Sequence, residues 1–178
     1  ISRTKSNAYM NEVRTDTERN MDKAVEAYKN INDGKAEINH LRSLITGLQP
    51  WVKLDIPLEM NETEYVSVIH GLTGAKVQSG QLMTAVTEGV PSAIVQEIGA
   101  DKQQKYFSFI VLKEEKDALY EALRPFNFSA ISMADQQGTP TEAIHRYEKR
   151  IEEIETTIAE NEKVLAELSP ARKIVSRS

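Results

Sequence analysis

Heptad-spaced apolar residues at both ends of the chain constrain its fold more than any other feature. Toward the C-terminus Ile144, Ile151, Ile158 and Leu165 form one column, and Tyr147, Ile154, Asn161 and Leu168 form the other. This is the 3-4 alternation of a helix that buries a narrow seam against a partner helix. Toward the N-terminus the columns are Met10, Thr17, Ala24, Ile31, Ile38 and Ile45 beside Val13, Asn20, Ala27, Gly34, Leu41 and Leu48. Two such seams flanking a folded segment predict an antiparallel helix pair with a compact tip. A shape of that kind holds parts together or apart rather than performing chemistry.

The totals narrow the function classes. The 178 residues suffice for one ordinary domain with a real core. A formal charge of -5 argues against non-specific nucleic-acid binding and against a polybasic membrane anchor. With no cysteine, disulfides and thiolate metal sites are excluded. No apolar run approaches the roughly 18–20 residues that span a bilayer, and the first residues lack the apolar core of a signal peptide. A chain that starts at Ile1 is expected to be a fragment of something longer.

Three segments follow: an ascending helix over 1–49, an α/β lobe over 50–138 and a return helix over 139–178. The first helix is expected from about Lys5 to Leu48, roughly 65 Å long at ~1.5 Å per residue. Thr17, Asn20 and Gly34 weaken its seam, and a loose or bent stretch is expected near Asn32-Asp33-Gly34. Pro50 to Leu58 is expected to be extended, because its prolines exclude regular helix. Trp51, the only tryptophan, is expected to pack the lobe against the top of the helix pair.

Strands are expected at Tyr65–Gly71, Ser92–Ile98, Tyr106–Leu112 and Phe126–Ile131, with helices at Val77–Val86 and Lys113–Leu123. The inner face of the second helix would carry Leu119, Tyr120 and Leu123. Gly71 to Gly74 reads as a connecting loop and Gly99 to Lys102 as a turn. The order β-α-β-β-α-β with short strands and a central hairpin predicts an α+β fold. Its form would be a ferredoxin-like sandwich, an antiparallel sheet with both helices on one face. The return helix opens on Thr139 as N-cap, Pro140 at the first position and Glu142 completing a capping box. It is expected to end near Leu168, stopped by Pro170.

No constellation of catalytic residues emerges. His40 and His145 sit on the two helices toward the lobe, where they could approach each other, but a metal site needs more ligands at tight spacing. His70 ends a strand with no orienting partner or nucleophile in sequence. Gly71-Leu72-Thr73-Gly74 matches neither phosphate-binding glycine motif. Glu152, Glu153 and Glu155 read as a solvated helix face. Phe107 and Phe109 lack the basic neighbours of an RNA-binding sheet and read as core. No catalytic, cofactor or metal site and no nucleic-acid partner is expected.

The segment Leu48-Gln49-Pro50-Trp51-Val52-Lys53-Leu54-Asp55-Ile56-Pro57-Leu58 resembles an L-x-P-W-x-x-L-D-x-P-L stretch. That stretch lies in the cytoplasmic half of subunit I (subunit a in eukaryotes) of V-type and A-type rotary ATPases. Gly138-Thr139-Pro140-Thr141-Glu142 resembles the G-T-P-x-E start of the family's return helix. Order and spacing hold over nearly the whole chain. One departure is Gly71-Leu72-Thr73-Gly74, where the family usually has a Gly-x-[Ile/Val]-Pro turn.

The resemblance implies an internal fragment, the distal lobe and part of a coiled-coil arm, lacking the proximal lobe and the membrane domain with its essential arginine. It implies a non-catalytic stator segment of a proton- or sodium-translocating ATPase on the cytoplasmic side of a membrane. The distal lobe would bind a peripheral-stalk heterodimer of E and G/H type. The membrane domain of the same subunit and the rotor ring would complete its surroundings. Pro50, Trp51, Leu54, Thr139, Pro140 and Glu142 would form the junction of lobe and arm. The arm's seam would comprise Ile31, Ile38, Leu41, Ile45, Leu48, Ile144, Tyr147, Ile151, Ile154, Ile158, Leu165 and Leu168. Two other functions compete, a small-ligand regulatory module on the same fold and a homodimeric coiled-coil scaffold.

Overall fold

A computed structural model describes residues 2–168. Eight regular elements run in the order α1 (Ser2–Leu48), β1 (Val66–Gly74), α2 (Ser79–Gly89), β2 (Ile94–Ala100), β3 (Gln104–Leu112), α3 (Lys116–Leu123), β4 (Ser129–Ile131) and α4 (Pro140–Leu168). The chain divides into two compact units, one of residues 1–43 and 147–178 and one of residues 44–146. Pro170, the expected stop of α4, lies outside the described residues.

In the first unit α1 and α4 lie side by side in opposite directions. Asn30 Nδ2 donates to Asn161 Oδ1 at 3.2 Å, and Arg150 bonds Glu37 at 3.1 Å. Between these contacts Gly34 faces Ile154 and Ile158. Ala27, Ile31, Ile38, Leu41, Ile151 and Ile154 are buried, whereas Met10 and Val13 stay exposed. The helix does not break at Asn32-Asp33-Gly34, where a loose or bent stretch was expected. Gly34 instead gives the two isoleucines room. A Cβ there would lie 3.0 Å from Ile158 Cγ1 and 3.1 Å from Ile154 Cγ2.

Two forces therefore oppose each other at Gly34. Alanine would gain about 1 kcal/mol of helix propensity, and the crowded atoms are ends of side chains that can rotate. Gly34→Ala is expected within about 0.5 kcal/mol of the parent, because the two effects nearly cancel. Gly34→Leu is expected to cost about 2 kcal/mol by overpacking. Urea unfolding of both variants checks the pair, and a Leu variant as stable as the Ala variant would refute the close approach.

In the second unit the four strands form one antiparallel sheet in the order β2-β3-β1-β4. On one face Ile69, Phe107, Phe109 and Val111 pack with Leu82 and Val86 of α2 and with Leu119 and Leu123 of α3. Leu119 and Leu123 are fully buried, but Tyr120 is 37% exposed and lies off the inner face expected for it. The lysine-glutamate run Lys113–Glu115 forms a 3₁₀ turn before α3 rather than its first helical turn.

The glycines produce the other departures. Gly71 to Gly74, read as a loop, belongs to β1 and pairs residue by residue with Phe107 to Gln104. Gly99 and Ala100, read as a turn, belong to β2. The register with β3 shifts between Glu97 and Gly99, leaving Ile98 as the extra residue of a bulge. The turn itself comes later, where Asp101 Oδ1 accepts the N–H groups of Gln103 and Gln104. At the fourth strand, Arg124–Phe126 is a 3₁₀ turn ended by Asn127 in the left-handed region, so β4 begins only at Ser129.

Candidate functional site

The segment after α1 departs most from expectation. Pro50 to Leu58 is not extended. Gln49–Trp51 is a 3₁₀ turn with Pro50 in its first turn, where a missing N–H costs nothing. The bend continues with Leu54 N–H donating to the Trp51 carbonyl at 2.9 Å. Proline excludes helix interior, not a helical start, and this segment uses the exception.

The turn delivers Trp51 to the sheet face opposite α2 and α3. Its ring stands edge-on to His70 at 5.7 Å and to Tyr106 at 5.4 Å. Trp51 therefore packs within the 44–146 unit, as a cover for its second sheet face. Gly99 makes that fit possible, since a Cβ there would lie 2.8 Å from the Pro50 carbonyl oxygen. Leu48, Trp51, Leu54 and Leu58 are each at most 2% exposed.

The same unit joins this segment to the start of α4. Leu58 N–H donates to the Gly138 carbonyl at 2.8 Å. Gly138 N–H donates to Glu59 Oε2 at 2.8 Å. Thr141 Oγ1 approaches the Val52 carbonyl at 3.4 Å. Gly138 has φ +77, the left-handed region that favours glycine, while the nearest atom to a Cβ there is the movable Glu142 Oε2 at 2.9 Å. Thr139 caps α4, its Oγ1 accepting from Glu142 N–H at 3.3 Å. Pro140 is buried, Thr139 half-buried and Glu142 exposed.

The structure joins the two segments that carry the residues expected at the junction through bonds of their neighbours, Leu58 and Glu59 to Gly138 and Thr141 to Val52. It adds three that the sequence reading did not assign a role, Leu58, Glu59 and Gly138. Their hydrogen bonds span about eighty residues of chain, a separation that no local pattern reports.

The seam residues fall as follows. Ile31, Ile38, Leu41, Leu48, Ile144, Ile151 and Ile154 are buried. Ile45, Tyr147, Ile158, Leu165 and Leu168 are half-buried. His40 and His145 are exposed. Among the described residues no three of His, Asp and Glu gather as a metal would need. No described helix is long and apolar enough to cross a membrane.

Beside β1 lies an open cavity of about 270 Å³ lined by Asn61, Glu62, His70, Lys116, Tyr120 and Ser132, among others. Glu62 is held there by Lys113 at 3.7 Å and Lys116 at 4.0 Å, contacts exposed enough to contribute little. His70 is 5% exposed, and neither ring nitrogen has a hydrogen-bond partner. Burial pushes its pKa below the ordinary 6.5, because the charged ring would lose its water. Opposite it, the buried Ser108 hydroxyl also lacks a partner. Tyr106 Oη donates to Asp101 Oδ2 at 2.8 Å. The backbone N–H of Gln103, with this phenol and Gln104 N–H, holds the Asp101 carboxyl below its usual range. Burial and the same bond push the phenol up.

No protein-family model matches the chain, and no curated protein matches its sequence. In fold it is similar to the crystal structure of the cytoplasmic N-terminal domain of subunit I, homolog of subunit a, of V-ATPase. The likeness has a TM-score of 0.55 at 14% identity and covers 86% of this chain. The chain spans about half of that structure, 51% of its length. At this identity the likeness is one of fold.

Proposed function

We propose that this chain is a piece of subunit I (subunit a) of a V-type or A-type rotary ATPase, and that it acts as a non-catalytic stator segment. In this reading residues 1–49 and 139–178 form an antiparallel coiled-coil arm, and residues 50–138 form a ferredoxin-like distal lobe. The lobe grips a peripheral-stalk heterodimer of E and G/H type. The arm carries rotor torque toward the membrane domain of the same subunit, which faces the rotor ring.

The observation that carries this reading is the fold likeness to a subunit I cytoplasmic domain over 86% of the chain. The strand order β2-β3-β1-β4 with both helices packed on one face supports the ferredoxin-like description. The seam contacts Asn30–Asn161 and Glu37–Arg150 support an arm closed within one chain, not between two chains. The L-x-P-W-x-x-L-D-x-P-L and G-T-P-x-E segments support the family assignment, since they meet through the Leu58–Gly138 bond.

The test is a pull-down of this chain with the parent organism's peripheral-stalk heterodimer, with complex mass read by light scattering. A stoichiometric complex is expected. A folded monomeric chain that leaves the heterodimer untouched would reject the stator reading for this lobe.

A further inference from the structure

We propose that the open cavity beside β1 binds a small α-amino acid with an aliphatic side chain, a function beyond any stator role. The cavity follows from how the edge of β1 is paired. β4 meets that edge only at His70, Gly71 and Leu72. Residues 61–63 fold back onto the same strand, where the Asn61 carbonyl accepts from Val68 N–H at 2.8 Å and Glu62 bridges to Ser67. The walls come from both short pairings and from Lys116 and Tyr120 of α3. The volume of about 270 Å³ lies just below the roughly 300–1,000 Å³ of clefts that hold drug-sized molecules, so the occupant is smaller than those.

The charges of the lining select a zwitterion. Glu62 contributes one negative charge and Lys116 one positive. They stand 4.0 Å apart, too far for a hydrogen bond, so each keeps bonding capacity for a ligand. Lys113 steadies the Glu62 carboxylate at 3.7 Å from outside the lining. The lining carries no third charge, because burial keeps the His70 ring neutral near neutrality. An anion would face Glu62, and a cation would face Lys116. An α-amino acid offers both signs two bonds apart, its carboxylate for Lys116 and its ammonium for Glu62. Charge-assisted bonds of this kind are the strong ones.

The rest of the lining completes the fit. Val68, Ile131 and Ala134 supply an apolar wall, which suits an aliphatic side chain. His70 belongs to the same wall and is buried with neither ring nitrogen bonded. A neutral imidazole carries one donor and one acceptor. An unbonded, pKa-shifted ring in the wall of a cleft is a mark of binding sites.

The test is amide NMR of the isotopically labelled chain at about pH 7, titrated with L-alanine, L-valine, L-leucine and L-isoleucine to about 10 mM each. At least one is expected to give saturable shifts gathered at Asn61–Glu62, Lys116–Tyr120 and Ala130–Ala134. Its N-acetyl derivative lacks the ammonium, and its amide lacks the carboxylate. Each derivative is expected to bind about tenfold more weakly. Glu62→Gln and Lys116→Met alter side chains 49% and 40% exposed, whose pairing contributes little to stability, so both variants are expected to fold. Each is expected to weaken the amino acid about tenfold. Glu62→Gln should also erase the penalty against the N-acetyl derivative, and Lys116→Met the penalty against the amide. A merely structural role would not produce that matching. Three outcomes would each overturn the proposal. They are no saturable shift from any of the four amino acids, saturable shifts centred elsewhere on the chain, and equal binding of the amino acid and its two singly charged derivatives.

Discussion

Trp51→Ala is expected to lower the stability of the 44–146 unit by about 4 kcal/mol, the range for deleting a fully buried large aromatic. Trp51 is 1% exposed, so almost all of its apolar surface is withdrawn from water. Its ring also makes two edge-on aromatic contacts, with His70 and Tyr106, each adding about 1 kcal/mol beyond area. The flanking leucines Leu48, Leu54 and Leu58 are themselves buried, so little is free to move into the space. A residual cavity is the expected consequence, and it adds to the lost transfer energy. Trp51→Phe keeps one edge-on ring and most of the volume, and is expected to cost about 2 kcal/mol. Because the variants lack the only tryptophan, urea unfolding is followed by circular dichroism. The midpoint should fall with the denaturant slope unchanged. A loss below about 1 kcal/mol for the alanine variant would mean that Trp51 is not part of this core.

The contrast between Trp51 and its turn shows what was legible in the chain. Burial of the one tryptophan and the order β-α-β-β-α-β followed from residue type and period, since alternation and heptad spacing are local properties. The cap at Thr139 was legible for the same reason, as it needs only four consecutive residues. Proline and glycine misled where their role was set by neighbours distant in sequence. Pro50 suggested extended chain, but one proline at the first position suits a 3₁₀ turn as well as a strand. Gly71 and Gly99 suggested loops because glycine punctuates loops on average. In the sheet both are strand residues, kept small by Phe128 and Ser129 in one case and by the Pro50 carbonyl in the other. The bonds among Leu58, Glu59 and Gly138 have no sequence signature at all. They arise only after the sheet has brought two remote segments together. The unpartnered state of His70 is likewise a property of its surroundings, because a histidine ending an apolar run reads the same with or without a hydrogen bond.

Gly71→Ala tests the close approach of β4 to β1, and is expected to cost about 3 kcal/mol by overpacking. In a strand with ordinary space the same change would gain about 0.4–1 kcal/mol by restricting the unfolded chain. Here a Cβ would lie 2.2 Å from Phe128 Cζ and 2.4 Å from the Ser129 carbonyl oxygen. The Phe128 ring could turn away only by giving up its edge-on contact with Phe109 at 5.3 Å. The Ser129 oxygen cannot turn away, because it belongs to the backbone of β4. That strand pairs with β1 through only His70–Ile131, Gly71–Ala130 and Leu72–Ser129, so a shift at its centre strains all three pairs. Detachment of β4 is therefore the expected response, seen as lost amide protection at Ser129 to Ile131 alongside the lower urea midpoint. Gly74→Ala supplies the control in the same strand, since a Cβ there meets nothing within 4 Å. It is expected to leave stability unchanged or raised by about 0.5 kcal/mol. If both variants behaved alike, the space at Gly71 would be larger than described and β4 would not sit against it. If Gly71→Ala alone loses stability while β2 and β3 keep their protection, the strand order at this edge depends on one missing methyl group.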